Sequence, residues 1–203
     1  MDERRHVLGL SVALCEAEVH WRAFLENLQA RGLRGTIFIV SDDHAGLKAA
    51  RRAVLGAAIW QRCQFHLAQN AVHNSPNNDI RKRIGKQLRA VWNASSLAAA
   101  EAELATLVAS YRHKHQNFAD WLENNVPEGL AVFTLPEDHQ KRMRTSNGIE
   151  RAIQQELKRR TSKVRVFPNL ESLERLSTAV LVEIDEKWET ETKAYIKWEE
   201  IDE

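Results

Sequence analysis

The run Thr36-Ile37-Phe38-Ile39-Val40 constrains this chain most, because it is strongly β-like and almost everything after it is not. A continuous run of β-branched and aromatic residues is expected of a strand covered on both faces. It gives way at once to Ser41-Asp42-Asp43-His44 and to a helical pattern over about residues 44–54. Ala57-Ala58-Ile59-Trp60 offers a short further strand. Leu8, Leu10 and Val12 alternate, which predicts a half-buried strand over residues 6–12. Trp21, Phe24, Leu25 and Leu28 fall at i, i+3, i+4, i+7 and predict a helix over about residues 16–31, with Gly32 as its stop.

From about residue 64 to 125 the periodicity is helical throughout. Ile84, Leu88 and Val91 share one face of the first long stretch, and Leu104, Leu107 and Val108 form the stripe of the second. Leu130–Leu135 reads as a short strand or loop closed by Pro136. A helix follows over about 147–160. Pro168-Asn169 then opens a last helix striped by Leu173, Leu176, Val180, Leu181 and Ile184. The expected order is strand-helix-strand-helix-strand, a large helical insertion, then more helices, an α/β class.

At 203 residues and 43% apolar content, with six Trp, the chain can build a sizeable core. Cys15 and Cys63 are too few for a disulfide framework, which favours a reducing compartment. The sequence carries no signal-peptide or membrane-span pattern, so a cytoplasmic protein is expected. The net charge of +1 hides a strong asymmetry. Residues 141–165 hold nine basic and two acidic side chains, a local +7, while residues 183–203 hold nine acidic and three basic, a local −6. Such a basic stretch is either a solvated helix face or a phosphate-binding patch.

Two carboxylates and one Cys-His pair carry possible chemistry. Asp42 lies just past a strand end, where open α/β sheets place functional groups and where a carboxylate can hold a hard cation. Alternatively, Asp42 or Asp43 caps the following helix. Glu150 lies three residues after Asn147, so Asn-x-x-Glu reads as a capping box, an i,i+4 ion-pair face, or a metal-binding acid set among bases. Cys63 and His66 form a Cys-x-x-His pair. No second Cys pair completes a zinc site, so the pair reads as a buried thiol beside a hydrogen-bonded imidazole.

Taken in order, the boxes Ser41 to Ala50 (SDDHAGLKAA), Trp60 to His66 (WQRCQFH), Arg144 to Arg151 (RTSNGIER), Arg160-Thr161 and Phe167-Pro168-Asn169 resemble bacterial Mutator-family transposases in order and spacing, as does Leu8-Gly9-Leu10. The resemblance spans essentially the whole chain. It implies a partial ribonuclease-H-like core over 1–62, a mostly helical insertion over 63–143, and C-terminal core helices over 144–203. It also implies an Asp-Asp-Glu triad in which Asp42 matches the second Asp and Glu150 the Glu, with 107 residues between them. Asp42 and Glu150 would then share two Mg²⁺ or Mn²⁺ ions spaced about 3.5–4 Å apart for metal-dependent DNA strand cleavage and transfer. Arg144, Arg151, Lys158, Arg159, Arg160, Lys163 and Arg165 would bind the DNA backbone. The Cys63/His66 box would serve a structural or DNA-positioning role, with zinc not expected. Implied partners are transposon-end and target DNA and further transposase copies, identical or full-length, in a nucleoid-associated setting without a membrane.

In the family the first Asp belongs upstream of the segment matching Met1–Val12, and Asp2 precedes a strand resembling the third of the fold. The chain therefore resembles a truncated or degenerate copy, or a frame with a misassigned start, expected to be inactive alone. With a sheet order of 3-2-1-4-5, strand 6–12 would lack a neighbour and leave open edges. The alternative role is a non-catalytic DNA-binding or oligomerising remnant that inhibits an intact transposase.

Overall fold

A computed structural model describes residues 3–13, 17–162, 164 and 167–197. Its elements run α1 (Glu18–Ala30), β1 (Phe38–Ser41), α2 (Ala45–Val54), β2 (Ile59–Arg62), α3 (Gln64–His73), α4 (Asn78–Trp92), α5 (Leu97–Arg112), α6 (Gln116–Asn125), two 3₁₀ turns (Val126–Gly129 and Ala131–Thr134), α7 (Glu137–Met143), α8 (Asn147–Thr161) and α9 (Leu170–Glu189). The protein is a mostly helical α/β chain whose described sheet has two parallel strands. The chain divides into two compact units. One is drawn from the described residues of Met1–Thr36, His44–Ala57 and Gly148–Glu203, the other from Ile37–Asp43 and Ala58–Asn147.

In the first unit α1 packs on α2. The expected stop at Gly32 is a Schellman turn: its φ is +108°, and the Gly32 and Leu33 amides donate to Gln29 and Leu28 carbonyls. The buried face of α9, Val180, Leu181, Ile184 and Trp188, packs against Ile149, Ile153 and Leu157 of α8. Val7 and Leu10 join this cluster. Residues 6–12, expected as a strand, form no strand. Their backbone is held by side chains instead: the Val7 amide donates to Asp185 (2.6 Å) and Arg31 donates to the Leu8 carbonyl (2.8 Å). Alternation alone cannot make a strand without a neighbouring strand to pair with.

In the second unit β1 and β2 pair in the register Phe38↔Ile59 to Ser41↔Arg62. The expectation of a strand covered on both faces fails here. All four β1 residues are half-buried and Ile37 is 55% exposed, because two strands give the sheet no layers of neighbours. The helices α3 to α6 enclose one core built on Leu67, Ile80, Ile84, Leu88, Val108, Phe118 and Leu122. Asn77 and Ser96 cap α4 and α5 by accepting the amides of Ile80 and Ala99. Of the strand or loop expected over 130–135, Ala131–Thr134 form a 3₁₀ turn, and the Val132 amide donates to Gln61. Among the described residues, no helix is long and apolar enough to cross a membrane.

Candidate functional site

Asp42 follows the last residue of β1, with its carboxylate 54% exposed. The cap of α2 is neither Asp42 nor Asp43: His44 accepts the Leu47 amide through Nδ1. Asp42 Oδ1 instead accepts the Asp43 amide at 2.8 Å and lies 4.0 Å from His66 Nδ1, longer than a hydrogen bond. Asp43 turns the other way and pairs with Arg62 at 3.0 Å.

The segment 60–64 anchors what surrounds Asp42 in this unit. Trp60 Nε1 donates to Ser41 Oγ at 2.9 Å, and the Cys63 amide donates to the Ser41 carbonyl at 2.8 Å. Gln61, fully buried, donates to the Gly129 and Arg62 carbonyls and accepts the Val132 amide. Gln64 donates to the same Gly129 carbonyl. The backbone approaches closely here: a Cβ on Gly129 would lie 3.0 Å from Leu67 and 3.2 Å from Trp92, so those side chains would have to shift to admit one. Arg62 reaches Asn125 and Glu128 as well as Asp43.

Cys63 is buried, 3.2 Å from the Thr145 hydroxyl. Burial pushes its thiol up, but hydrogen bonds from Ser146, Thr145 and the backbone at His66 and Ser146 outweigh this and leave it below its ordinary value. The Gln64 amide donates to the Arg144 carbonyl, so the box before α8 also hangs on this segment. Trp60, Gln61 and Arg62 had no role assigned from sequence. The signal was present: three consecutive amphipathic or polar residues fill a strand that apolar neighbours should dominate.

Glu150 sits half-buried in the first turn of α8, in the other unit from Asp42. Asn147 is the first residue of that helix and gives its amide to Thr145 Oγ1, so Asn-x-x-Glu is one residue out of capping-box register. The basic candidates divide. Arg144 donates to Asn93, and burial lowers its guanidinium below the usual range. Arg159 binds Glu156, whose carboxyl it holds below the ordinary range, and Arg160 binds Glu183. Arg151 and Lys158 are exposed. Lys163, Arg165 and Cys15 lie outside the described residues.

Two hard cations need several oxygen ligands converging. Among the described residues no group of three or more His, Cys, Asp or Glu is gathered in that way.

A parallel strand pair with an exposed carboxylate just past the end of β1, in a unit otherwise built of helices, makes this an α/β protein with a candidate acidic site. The family model described as "Transposase, Mutator family" matches residues 1–191. The chain belongs to the Mutator family of transposases. It is similar to the transposase for insertion sequence element IS406 of Burkholderia multivorans (48% identical over 195 residues, 96% of this chain and 50% of the relative). It is also similar to the transposase for ISRM5 of Rhizobium meliloti (37% identical, 98% and 50%) and the transposase for IS256 in transposon Tn4001 of Staphylococcus aureus (29% identical, 98% and 50%). The chain spans about half the length of these curated relatives.

Proposed function

We propose that this chain is the part of a transposase that supplies Asp42 and Glu150, two of three acidic residues of an Asp-Asp-Glu site for DNA strand cleavage and transfer. Family membership over residues 1–191 and the exposed carboxylate just past β1 support this reading. The β1/β2 pair would belong to a ribonuclease-H-like sheet completed by strands from outside this chain, together with the first Asp. Magnesium or manganese suits carboxylate oxygens. On this reading Asp42 and Glu150 act only together with the third acidic residue of the triad. Arg151 and Lys158 would hold the phosphate backbone of transposon-end DNA, in an assembly with further transposase copies.

The test is a chimera in which this chain replaces the matched half of the Burkholderia relative. It should cleave the DNA ends recognised by that relative in Mg²⁺, and Asp42→Ala or Glu150→Ala should lower the rate at least about 100-fold. Unchanged cleavage by Asp42→Ala would remove Asp42 from the site. A second reading, a DNA-binding remnant that inhibits intact transposase, is favoured by the exposed cations of α8. It predicts that the isolated chain binds end DNA with a steep salt dependence and slows cleavage by the intact relative.

A further inference from the structure

We infer that Arg62 is a positioning residue: by gripping Asp43, its buried guanidinium sets the direction of the Asp42 carboxylate. The inference rests on the reading of Asp42 as a site residue. The Arg62 side chain is 2% exposed, yet its ion-pair partners are about one-third exposed, Asp43 at 31% and Glu128 at 32%. Its two terminal nitrogens divide the work. Nη2 lies 3.0 Å from Asp43 Oδ2, and Nη1 donates to Glu128 Oε2 at 2.9 Å and Asn125 Oδ1 at 3.0 Å. One rigid planar fork thus ties the loop after β1 to the turn that ends α6.

The consequence for Asp42 passes through the backbone. Asp42 Oδ1 accepts the Asp43 amide, so the orientation of residue 43 decides where that carboxylate is held. On the other side Ser41 is fixed by the ladder to Arg62, by the Cys63 amide and by Trp60 Nε1. Asp42 is therefore clamped at both flanking residues while its own carboxylate stays exposed. A core arginine meant only for stability would not need to reach outward to a carboxylate next to the candidate acid. Lysine cannot replace it, because one nitrogen cannot hold partners on both sides of the fork.

The decisive experiment measures amide exchange at Asp43 in Arg62→Lys and Asp43→Asn forms of the whole chain, with Ile84 and Leu88 as core references. Both variants should speed exchange at Asp43 about tenfold, as expected for loss of one charge-assisted hydrogen bond, while the core amides stay within about threefold. The double variant should add nothing at Asp43. In the chimera, Arg62→Lys should slow cleavage about tenfold or more at unchanged DNA affinity, the signature of a misplaced group. Exchange rising equally at Asp43, Ile84 and Leu88, or not rising at Asp43, would overturn the inference. Asp43→Asn alters a partly exposed side chain, so it decides the matter if the Arg62 variant fails to fold. If Asp42→Ala leaves cleavage intact while Asp43 exchange responds as expected, the clamp stands and the assignment of Asp42 is what fails.

Discussion

Replacing Gln61 with Leu isolates the energetics of the 60–64 segment. The Gln61 side chain is fully buried and makes three hydrogen bonds, to the Arg62 carbonyl (2.9 Å), the Gly129 carbonyl (2.8 Å) and the Val132 amide (2.8 Å). The Gly129 carbonyl keeps Gln64 Nε2 after the change. The Val132 amide keeps nothing equivalent, and Val132 is 1% exposed. A buried donor left unsatisfied costs roughly 1–3 kcal/mol, and the lost bond to Arg62 about 1 kcal/mol more. Greater apolar burial by leucine offsets about 1 kcal/mol. The net loss is about 2 kcal/mol, a fall of about 1 M in the urea midpoint at a slope of about 2 kcal/mol/M. Gln64→Leu is the internal control. Its single side-chain bond goes to a carbonyl that Gln61 also serves, and its Oε1 is buried without a hydrogen-bond partner. That variant should lose under about 1 kcal/mol. The assay is urea unfolding followed by tryptophan fluorescence, read beside amide exchange at Val132. Equal losses for the two variants, or a larger loss for Gln64→Leu, would refute the reasoning.

Three further outcomes are expected. Ile84→Ala, which empties a site with 0% exposure in the helical core, should cost about 2–5 kcal/mol, measured by the same unfolding curves. The folded chain holds the Cys63 thiol below its ordinary value, so from that depressed value up to the ordinary one the unfolded chain binds more protons and the contribution of Cys63 to stability grows with pH. The stability gap between the native chain and Cys63→Ala should therefore widen from pH 7 to pH 9, and a flat gap would contradict the hydrogen-bonding account. Neutralising Arg151 and Lys158 together should reduce the logarithmic salt slope of DNA binding by about 2, one phosphate each, as read by titration at several salt concentrations.

The long helices were legible in the chain itself. Stripes such as Ile84-Leu88-Val91 and a stop such as Gly32 are local signals, and local backbone hydrogen bonding satisfies the helix wherever it lies. The carboxylate after β1 was legible for the same reason, since the end of a β-branched run can be read without knowing its neighbours. The segment 6–12 was not. A strand exists only through a partner, and here Asp185 and Arg31 bind the backbone instead. Nor could the sequence tell that Asp43 faces Arg62 while His44 caps α2, because three adjacent polar residues compete for both tasks. By itself the sequence determined the long helices, the boxes and the family, though not the short α7. Only the tertiary structure decided that residues 60–64 gather the 41–43 loop, the 125–132 turns and the 144–145 lead into one buried network. Those bonds span up to 82 residues of chain, a separation over which no periodicity or propensity carries information.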